Sequence, residues 1–308
     1  MLTFAFCTYN RADRLEKLVA TMRAQACPLP FEILAVNNNS QDHTLAVLGK
    51  LADMPGVPLR FVTETAQGIV PARNRALAEA LHSDMLVFID DDELPRPGLL
   101  QAACHALLDE GAECVGGRIV VNFSPNLRPR WLGDELLGFL AAVDYGAQPF
   151  WLKQADTPVW TANVAYDMRL FRNDPSLRFD ARYNRAGTTL GGGEDIAMFT
   201  ELLSRNTALR YCPDMQVEHF VEPWRLHRRY FLRLHYQAGL RKGLHDLPDY
   251  SKTLFGVPPF LLAQCFRQGL GTLACVLTQR GWLRQAMNLT HAWGLLVGYR
   301  QRQAHPIS

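Results

Sequence analysis

The sequence lacks the cysteine patterns of a disulfide framework or a zinc ribbon. Its 308 residues include seven cysteines, an odd number, and no Cys-x-x-Cys pair occurs. Cysteines in such an arrangement are typical of proteins that stay in a reducing compartment. The first residues carry neither the basic segment nor the long apolar core of a secretory signal peptide. We therefore expect a cytoplasmic protein.

Glycine-rich nucleotide-binding motifs and long apolar runs are also missing. No Gly-x-Gly-x-x-Gly follows the first apolar run and no Walker sequence occurs, which disfavours dinucleotide and P-loop sites. No uninterrupted apolar stretch reaches the roughly 20 residues of a transmembrane helix, so we expect no spanning helix. With 48% hydrophobic and 20% charged residues, the chain is neither disordered nor collagen-like.

Charge is nearly balanced over the whole chain but not along it. The formal net charge is +2, yet residues 205–308 hold 14 Lys and Arg against 5 Asp and Glu, a net charge of +9 that leaves −7 on residues 1–204. Basic residues interleaved with apolar ones are typical of proteins that bind an anionic membrane surface. We expect no nucleic-acid partner, because the interleaving suits a bilayer interface better. A basic helical face in solvent is the alternative.

The first half of the chain alternates short apolar runs with helical patterns. Strands are expected at Leu2–Cys7, Phe31–Val36, Leu59–Val62 and Met85–Ile89, and helices at about 13–25, 44–52 and 72–81. This alternation predicts an α/β fold with a mostly parallel sheet flanked by helices. From Trp224 onward the pattern becomes helical with amphipathic stripes. We expect two domains, residues 1–222 and 223–308.

Polar residues directly follow three of these strands. They are Thr8–Arg11 after the first, Asn37–Asp42 after the second and Asp90–Glu93 after the fourth. Ligands of parallel α/β sheets bind at the carboxyl ends of the strands, so the three loops predict a shared binding site. The carboxylates at 90–92 favour a divalent cation, since Mg²⁺ and Mn²⁺ take carboxylate and phosphate oxygens as ligands. A solvated acidic turn is the alternative.

A second acidic pair follows a run of glycines. Gly191-Gly192-Gly193 precedes Glu194 and Asp195, and glycines allow a tight turn with close backbone approach. Capping of the next helix by Asp195 is the simpler explanation of this pair taken alone. Arg73 could reach a diphosphate and His219 could bind a metal, although each residue type is more often found in ordinary surface or hydrogen-bonding roles.

Together and in this order, the motifs resemble those of the family 2 glycosyltransferases of the GT-A fold. The resemblance runs from Thr3 to about His219. The residues that match the family's nucleotide-sugar-binding motifs are Thr8, Tyr9, Asn10, Arg11, Asn37, Asn39, Gly68, Arg73, Asp90, Asp91, Trp160 and Asn163. The family usually has Asp where this chain has Asn37. The Asn37 amide oxygen can still accept a hydrogen bond from a nucleobase, without charge, so we expect a uridine or thymidine donor.

The resemblance also implies the chemistry. Asp195 would be the catalytic base with Glu194 beside it, Arg73 would contact the diphosphate, and Asp92 with His219 would hold Mn²⁺ or Mg²⁺. The reaction would be an inverting transfer of a sugar from a nucleoside diphosphate to a hydroxyl of a saccharide acceptor. A metal-dependent nucleotidyltransferase and a non-catalytic membrane-associated sugar-binding protein stay open as alternatives.

The C-terminal helices add an expectation about location. Their stripes carry Trp282, Trp293 and Tyr299 among basic residues, and Trp and Tyr favour the headgroup level of a membrane. We expect peripheral attachment to the cytoplasmic face of the inner membrane and a lipid-linked acceptor in surface-polysaccharide biosynthesis. Packing on the catalytic domain or in a homodimer is the alternative for the same aromatic residues.

Overall fold

The computed structural model describes residues 1–185, 190, 192–278 and 281–304. The chain divides into two compact units, Met1–Gly187 with Glu194–Val221, and Thr188–Gly193 with Glu222–Ser308. The division after Val221 falls next to the domain boundary that the sequence suggests. Each unit is described by itself below.

The first unit combines a nine-stranded sheet with helices. Its strands are β1 (Leu2–Thr8), β2 (Phe31–Asn37), β3 (Leu59–Thr63), β4 (Met85–Ile89), β5 (Glu93–Pro95), β6 (Cys114–Asn122), β7 (Phe150–Trp151), β8 (Asn163–Asp167) and β9 (Leu209–Phe220). Its α-helices are α1 (Ala12–Arg23), α2 (Thr44–Ala52), α3 (Ile69–Glu79), α4 (Leu99–Cys104), α5 (Arg169–Asn173) and α6 (Glu194–Ser204). The four strands expected from the sequence are all present.

The strands are ordered β3-β2-β1-β4-β8-β6-β9-β5, and β7 pairs with β9. The first four are parallel to their neighbours, as the alternating pattern predicts. β8 then runs antiparallel to both β4 and β6, and β5 and β7 run antiparallel to β9. The result is a mixed sheet flanked by helices, which confirms the α/β class. β5 and β7 are too short to show an alternating pattern in the sequence.

Burial explains why the central strands are continuous apolar runs. Every residue of β4 is buried, as expected of a strand that is covered on both faces. Helix α1 buries Leu15, Leu18, Val19 and Met22 on one stripe. Helix α3 begins three residues before the expected start near Ala72. Pro71 is accepted there because the first turn of a helix needs no backbone donor.

A bulge interrupts the pairing of β6 with β9. Gly117 pairs with Cys212 but Arg118 pairs with Gln216, so residues 213–215, here called the β9 bulge, have no partner on β6. Nδ2 of Asn163 donates to the carbonyl oxygens of Arg118 at 2.9 Å and Met215 at 2.8 Å. Asn163 is buried, and its amide nitrogen therefore holds the β9 bulge. Its expected place in a sugar pocket stays a prediction.

The second unit is helical, with α7 (Arg228–Arg241), α8 (Pro259–Thr278) and α9 (Trp282–Ala304). Helix α9 contributes Gly294 and Gly298 to a close contact with Gly239 of α7 and with Gly243, which lies two residues past the end of α7. A Cβ atom at Gly298 would lie 2.0 Å from the carbonyl oxygen of Leu240. Small residues four apart let helix backbones come this close, so these glycines are required by the packing.

Tyr299 lies inside the helical unit. Its side chain is fully buried, and its hydroxyl accepts a hydrogen bond from the backbone N–H of Tyr250 at 3.1 Å. The expectation that Tyr299 faces a membrane is therefore corrected. Trp293, in contrast, is 54% exposed.

Helix α8 is the one helix among the described residues that is long and apolar enough to cross a membrane by length and composition alone. Gln264, Arg267 and Gln268 interrupt its apolar run, and the expectation that no helix spans a membrane stays a prediction. Little of the helix is buried. Its exposed side carries a row of apolar residues at helical spacing, here called the α8 stripe: Phe266, Leu270, Leu273 and Leu277.

Candidate active site

The loop after β1 is tied to the loop after β2. The backbone N–H of Asn10 donates to Ser40 Oγ at 3.0 Å, and the Gln41 N–H donates to Asn10 Oδ1 at 2.8 Å. The Arg11 N–H donates to Thr44 Oγ1 at 3.0 Å. Asn10 has a positive φ of 53°, a conformation that asparagine adopts more readily than most residues. The residues expected to bind the nucleotide therefore share one edge of the sheet.

Asn37 is buried at the end of β2. Its Oδ1 accepts the backbone N–H of Ser40 at 3.1 Å, and its Nδ2 donates to Thr63 Oγ1 at 3.4 Å. The amide oxygen that the sequence assigns to a nucleobase thus already accepts one hydrogen bond. Asn39, two residues on, is partly exposed with a φ of 57°.

Gly68 lies where two loops touch. Its N–H donates to Asn38 Oδ1 at 2.7 Å, and its φ is +136°. A Cβ atom there would lie 2.1 Å from Asn184 Oδ1. Glycine is therefore needed both for the backbone conformation and for the close approach.

Arg73, on α3, joins three carboxylates. Nη1 donates to Glu194 Oε1 at 3.0 Å and to Asp195 Oδ1 at 2.8 Å, and Nη2 donates to Asp90 Oδ1 at 3.3 Å. Its side chain is only 2% exposed. Burial lowers the pKa of Arg73, but the three negative charges outweigh burial and raise that pKa above its ordinary value. The guanidinium thus faces carboxylates in this structure, and its contact with a diphosphate stays a prediction.

Glu194 and Asp195 begin α6 after Gly193, whose φ is +131°; Gly191 lies outside the described residues. Glu194 is 1% exposed, and burial, followed by the charge of Asp195, raises the pKa of its carboxyl. The side chain of Asp195 is 12% exposed. Of the two carboxylates, Asp195 is the one that a second molecule can reach.

Thr161 is a site residue that the motif comparison did not single out. Its backbone N–H donates to Asp195 Oδ1 at 3.2 Å, and its hydroxyl donates to the same oxygen. It precedes β8, whose first residue, Asn163, pairs with Ile89 at the end of β4. This antiparallel pairing places Thr161 beside Asp195 and joins strands more than 70 residues apart in the chain. The sequence could have indicated the contact between Thr161 and Asp195 only if β8 had been predicted next to β4. Trp160 is partly buried against the core.

The acidic turn after β4 is buried at Asp92 and Glu93 and half-buried at Asp90 and Asp91. The Asp90 N–H donates to Glu93 Oε2 at 2.9 Å. Burial raises the pKa of Asp91 to about 7, the charge of Asp92 adds to the effect, and Thr8 and Arg11 oppose it. Burial also raises the pKa of Glu93 well above its ordinary value. Burial therefore disfavours the charged form of two carboxyl groups in this turn, which a bound cation would favour.

The two expected metal ligands lie side by side. Because Glu93 on β5 pairs with His219 on β9, His219 Nδ1 comes within 3.4 Å of Asp92 Oδ1, and both side chains are buried. No three His, Cys, Asp or Glu side chains of the described ranges converge in a metal-binding group. Two protein ligands beside an acidic turn fit Mn²⁺ or Mg²⁺, whose remaining ligands are typically substrate phosphates and water.

The family model described as glycosyl transferase family 2 matches residues 3–174, more than half of the chain. The chain belongs to glycosyl transferase family 2. The family and the enzyme class expected from the motifs are thereby confirmed. Asp195 and His219 lie beyond the matched segment, so their roles rest on the geometry above.

A curated glycosyltransferase matches part of this chain in sequence. The uncharacterized glycosyltransferase YfnE of Bacillus subtilis (strain 168) is 34% identical over 106 residues, which are 34% of this chain and 26% of that protein. The chain thus spans about a quarter of that curated relative.

Two solved structures share the fold. The mannosyltransferase PcManGT from Pyrobaculum calidifontis, in complex with GDP-Man and Mn²⁺, is 17% identical with a TM-score of 0.59, covering 100% of this chain and 88% of that chain. S. aureus TarS 1–349, in complex with UDP-GlcNAc, is 15% identical with a TM-score of 0.53, covering 100% and 93%. The GT-A fold expected from the motifs is confirmed.

Proposed function

We propose that the protein is an inverting glycosyltransferase that moves a sugar from a nucleoside diphosphate donor to a hydroxyl of a saccharide acceptor. The observation that carries the proposal is the Arg73 network. It joins Asp195, an accessible carboxylate at the start of α6, to Asp90, at the carboxyl end of β4. A base and the acidic turn of a nucleotide-sugar site therefore belong to one hydrogen-bonded unit of the family 2 fold.

The proposed reaction is a single displacement. The acceptor hydroxyl oxygen attacks the anomeric carbon while Asp195 takes its proton, a general-base role. The bond from the anomeric carbon to the diphosphate oxygen breaks, and its electron pair leaves with the nucleoside diphosphate. Glu194 is too buried to meet the acceptor, so we assign it to fixing Arg73 and the start of α6.

A divalent cation, Mn²⁺ or Mg²⁺, would be held by Asp92 and His219. Bound there, it supplies Lewis-acid stabilisation to the negative charge of the diphosphate. The Asp92 oxygen and the His219 nitrogen are ligand types that Mn²⁺ accepts. The Mn²⁺ in the PcManGT complex is consistent with this proposal for a protein of the same fold.

The nucleotide is proposed to lie along the loops after β1 and β2. Thr8, Tyr9, Asn10 and Arg11 with Asn37 and Asn39 form that edge, next to Asp90 and Asp91. We retain a uridine or thymidine diphosphate donor as the proposal. TarS was solved with UDP-GlcNAc and PcManGT with GDP-Man, which makes guanosine diphosphate sugars the necessary comparison.

The test is a screen of UDP, dTDP and GDP sugars with Mn²⁺ and a panel of saccharide acceptors, with release of nucleoside diphosphate as the readout. We expect release that depends on both the acceptor and the metal. Release of pyrophosphate from a nucleoside triphosphate and a sugar phosphate would instead identify a nucleotidyltransferase. Binding of sugars without any release would identify a non-catalytic protein.

We further propose that the protein attaches peripherally to the cytoplasmic face of the inner membrane. The α8 stripe exposes Phe266 at 70% and Leu277 at 75%, in the part of the chain that carries a net charge of +9. An exposed apolar row in a basic segment is the composition of an interfacial helix. Arg267 and Gln268 lie in the middle of α8, where a spanning helix tolerates a charge poorly.

Membrane attachment leads to the proposal about the acceptor. An enzyme held at the bilayer surface meets lipid-linked saccharides at a high local concentration. We therefore propose a lipid-linked saccharide as the acceptor and surface-polysaccharide biosynthesis as the setting.

A further inference from the structure

One oxygen of the Asp195 carboxylate accepts several hydrogen bonds. Its Oδ1 accepts three donors, namely Arg73 Nη1 at 2.8 Å, the Thr161 N–H at 3.2 Å and the Thr161 hydroxyl. Every donor to this carboxylate within the described ranges goes to Oδ1. A charge-assisted hydrogen bond is shorter and stronger than a neutral one, and three donors to Oδ1 hold that oxygen in place.

Thr161 can hold this position because it is itself fixed. It is 2% exposed and lies beside the first residues of β8, whose pairing with β4 is continuous from Met85 to Ile89. A buried side chain in a turn that leads directly into a paired strand can orient a helix-borne carboxylate more accurately than one on a mobile loop.

We propose that Thr161 is a positioning residue for the base and determines which oxygen of Asp195 takes the proton. This inference rests on the proposed function. With Oδ1 occupied by Thr161 and Arg73, Oδ2 is the oxygen presented to the acceptor hydroxyl. The proton passes from that hydroxyl to Oδ2, as the oxygen bonds to the anomeric carbon and the nucleoside diphosphate leaves with its electron pair.

The hydroxyl can be removed without changing the shape of the side chain. Thr161→Val keeps the branch and the backbone N–H, and Thr161→Ser keeps the hydroxyl. We expect Thr161→Val to lower kcat by about 10- to 100-fold, the factor expected from one hydrogen bond to a charged group, with the donor KM within about twofold. Thr161→Ser should restore most of kcat.

The pH profile of kcat supplies a readout that a merely structural role would not move. A carboxylate that loses a donor is harder to ionise, so the acidic limb should shift to higher pH in Thr161→Val and return in Thr161→Ser. The charged and titratable groups that face Asp195 are Arg73 from α3, Glu194 from α6 and Tyr166 from β8. Thr161→Val also removes the hydrogen bond between the Thr161 side chain and Tyr166, which Thr161→Ser keeps; Arg73 and Glu194 do not bond to the Thr161 hydroxyl.

Thr3→Val is the matched control. Thr3 is a fully buried threonine at the start of β1 whose hydroxyl bonds with Ser83 and Glu32, far in sequence from the site. We expect it to lower thermal stability while leaving kcat and the pH profile unchanged. If Thr161→Val has the wild-type kcat and pH profile, or if Thr161→Ser fails to restore them, the positioning role is wrong.

Asp195→Asn, assayed in parallel, separates this inference from the proposed function. Full turnover by Asp195→Asn would overturn the base assignment itself. Loss of turnover in Asp195→Asn together with a wild-type Thr161→Val would overturn the positioning role alone.

Discussion

Glu194 and Asp195 are neighbours in the chain but have different surroundings. Both bond to Arg73, yet Glu194 is almost fully buried and Asp195 is partly exposed. The burial that raises the pKa of Glu194 also keeps an acceptor away from it. The different roles proposed for these two adjacent carboxylates therefore follow from their different exposure to solvent.

Asp195→Asn should separate turnover from donor binding. The amide keeps the size of the side chain but takes no proton, so we expect kcat to fall by about 10²- to 10⁴-fold. Affinity for the nucleoside diphosphate, measured by calorimetry, should barely change. Asp134→Asn, at an exposed aspartate, is the control. A collapse of donor affinity with intact turnover of bound substrate would make Asp195 a binding residue.

Asp92→Ala and His219→Ala should each weaken the binding of Mn²⁺. We expect titration of the metal alone to show the loss, because each variant removes one of the two proposed protein ligands. Most of the activity should be lost, and with it the dependence on added Mn²⁺. His105→Ala, which removes an exposed histidine, should bind Mn²⁺ as the wild type does. Full activity of the wild-type protein in the presence of a chelator would contradict the metal assignment.

The sequence predicted the site's residues better than their contacts. The acidic turn and His219 are recognisable as motifs, and the pairing of β5 with β9 brings them together. The contacts of Arg73 and Asn163 could not be predicted, because a residue's type does not reveal which partner the fold brings to it. Arg73 meets α6 across more than 120 residues of chain.

At the scale of elements, glycine is required where α9 packs against α7 but not at Gly269 of α8. A Cβ atom at Gly298 would lie 2.0 Å from the backbone oxygen of Leu240, whereas one at Gly269 would meet nothing within 4 Å. Replacement of glycine by alanine should therefore destabilise the protein at Gly298 and stabilise it at Gly269.

Gly298→Ala should lower the free energy of unfolding by about 1–3 kcal/mol, the usual cost of overpacking. Gly269→Ala should raise it by up to about 1 kcal/mol, since alanine is the better helix former. Urea unfolding followed by circular dichroism measures both. Equal stability of the two variants would show that α7 and α9 are not packed this closely.

A pair of half-buried histidines makes the helical unit sensitive to acid. Burial is the main cause that lowers the pKa of His235 on α7 and of His291 on α9, and Lys242 adds to the effect at His291. Because both values lie below the unfolded value of 6.5, the unfolded chain binds more protons as the pH falls through and below 6.5. Stability is therefore lost on acidification.

We expect Tm to be lower at pH 5.5 than at pH 7.5, and the difference to shrink in His235→Gln/His291→Gln. His105→Gln, at an exposed histidine, should retain the wild-type difference. A double variant with an unchanged pH dependence would assign the acid sensitivity to other groups.

At the scale of the whole molecule, charge and exposed apolar surface occur in the same part of the chain. Residues 205–308 carry a net charge of +9, and the α8 stripe lies within them. Screening by salt weakens the attraction of such a segment to anionic lipid, whereas the apolar contribution is much less sensitive. The two contributions can be separated by measurement.

The full-length protein should co-sediment with anionic vesicles at low salt and less at high salt. Phe266→Ser/Leu270→Ser should reduce binding, while Leu127→Ser, at an apolar residue of the first unit that is 89% exposed, should not. Removal of residues 254–308 should abolish binding to the vesicles. If the wild-type protein ignores these vesicles at low salt, membrane attachment is wrong. Light scattering that shows a dimer broken by the double variant would assign the stripe to a homodimer.

The β9 bulge has a consequence for how such a sequence can change length. Side chains alternate between the faces of a sheet, so a shift of one residue turns every later side chain to the opposite face. The bulge sets the register in which His219 meets Glu93. Because residues 213–215 have no partner on β6, their number can change while the pairs on either side, and with them His219, keep their places. A one-residue deletion within the paired segment 216–219 would instead turn His219 to the opposite face. Natural length variation in β9 should therefore be concentrated in the bulge.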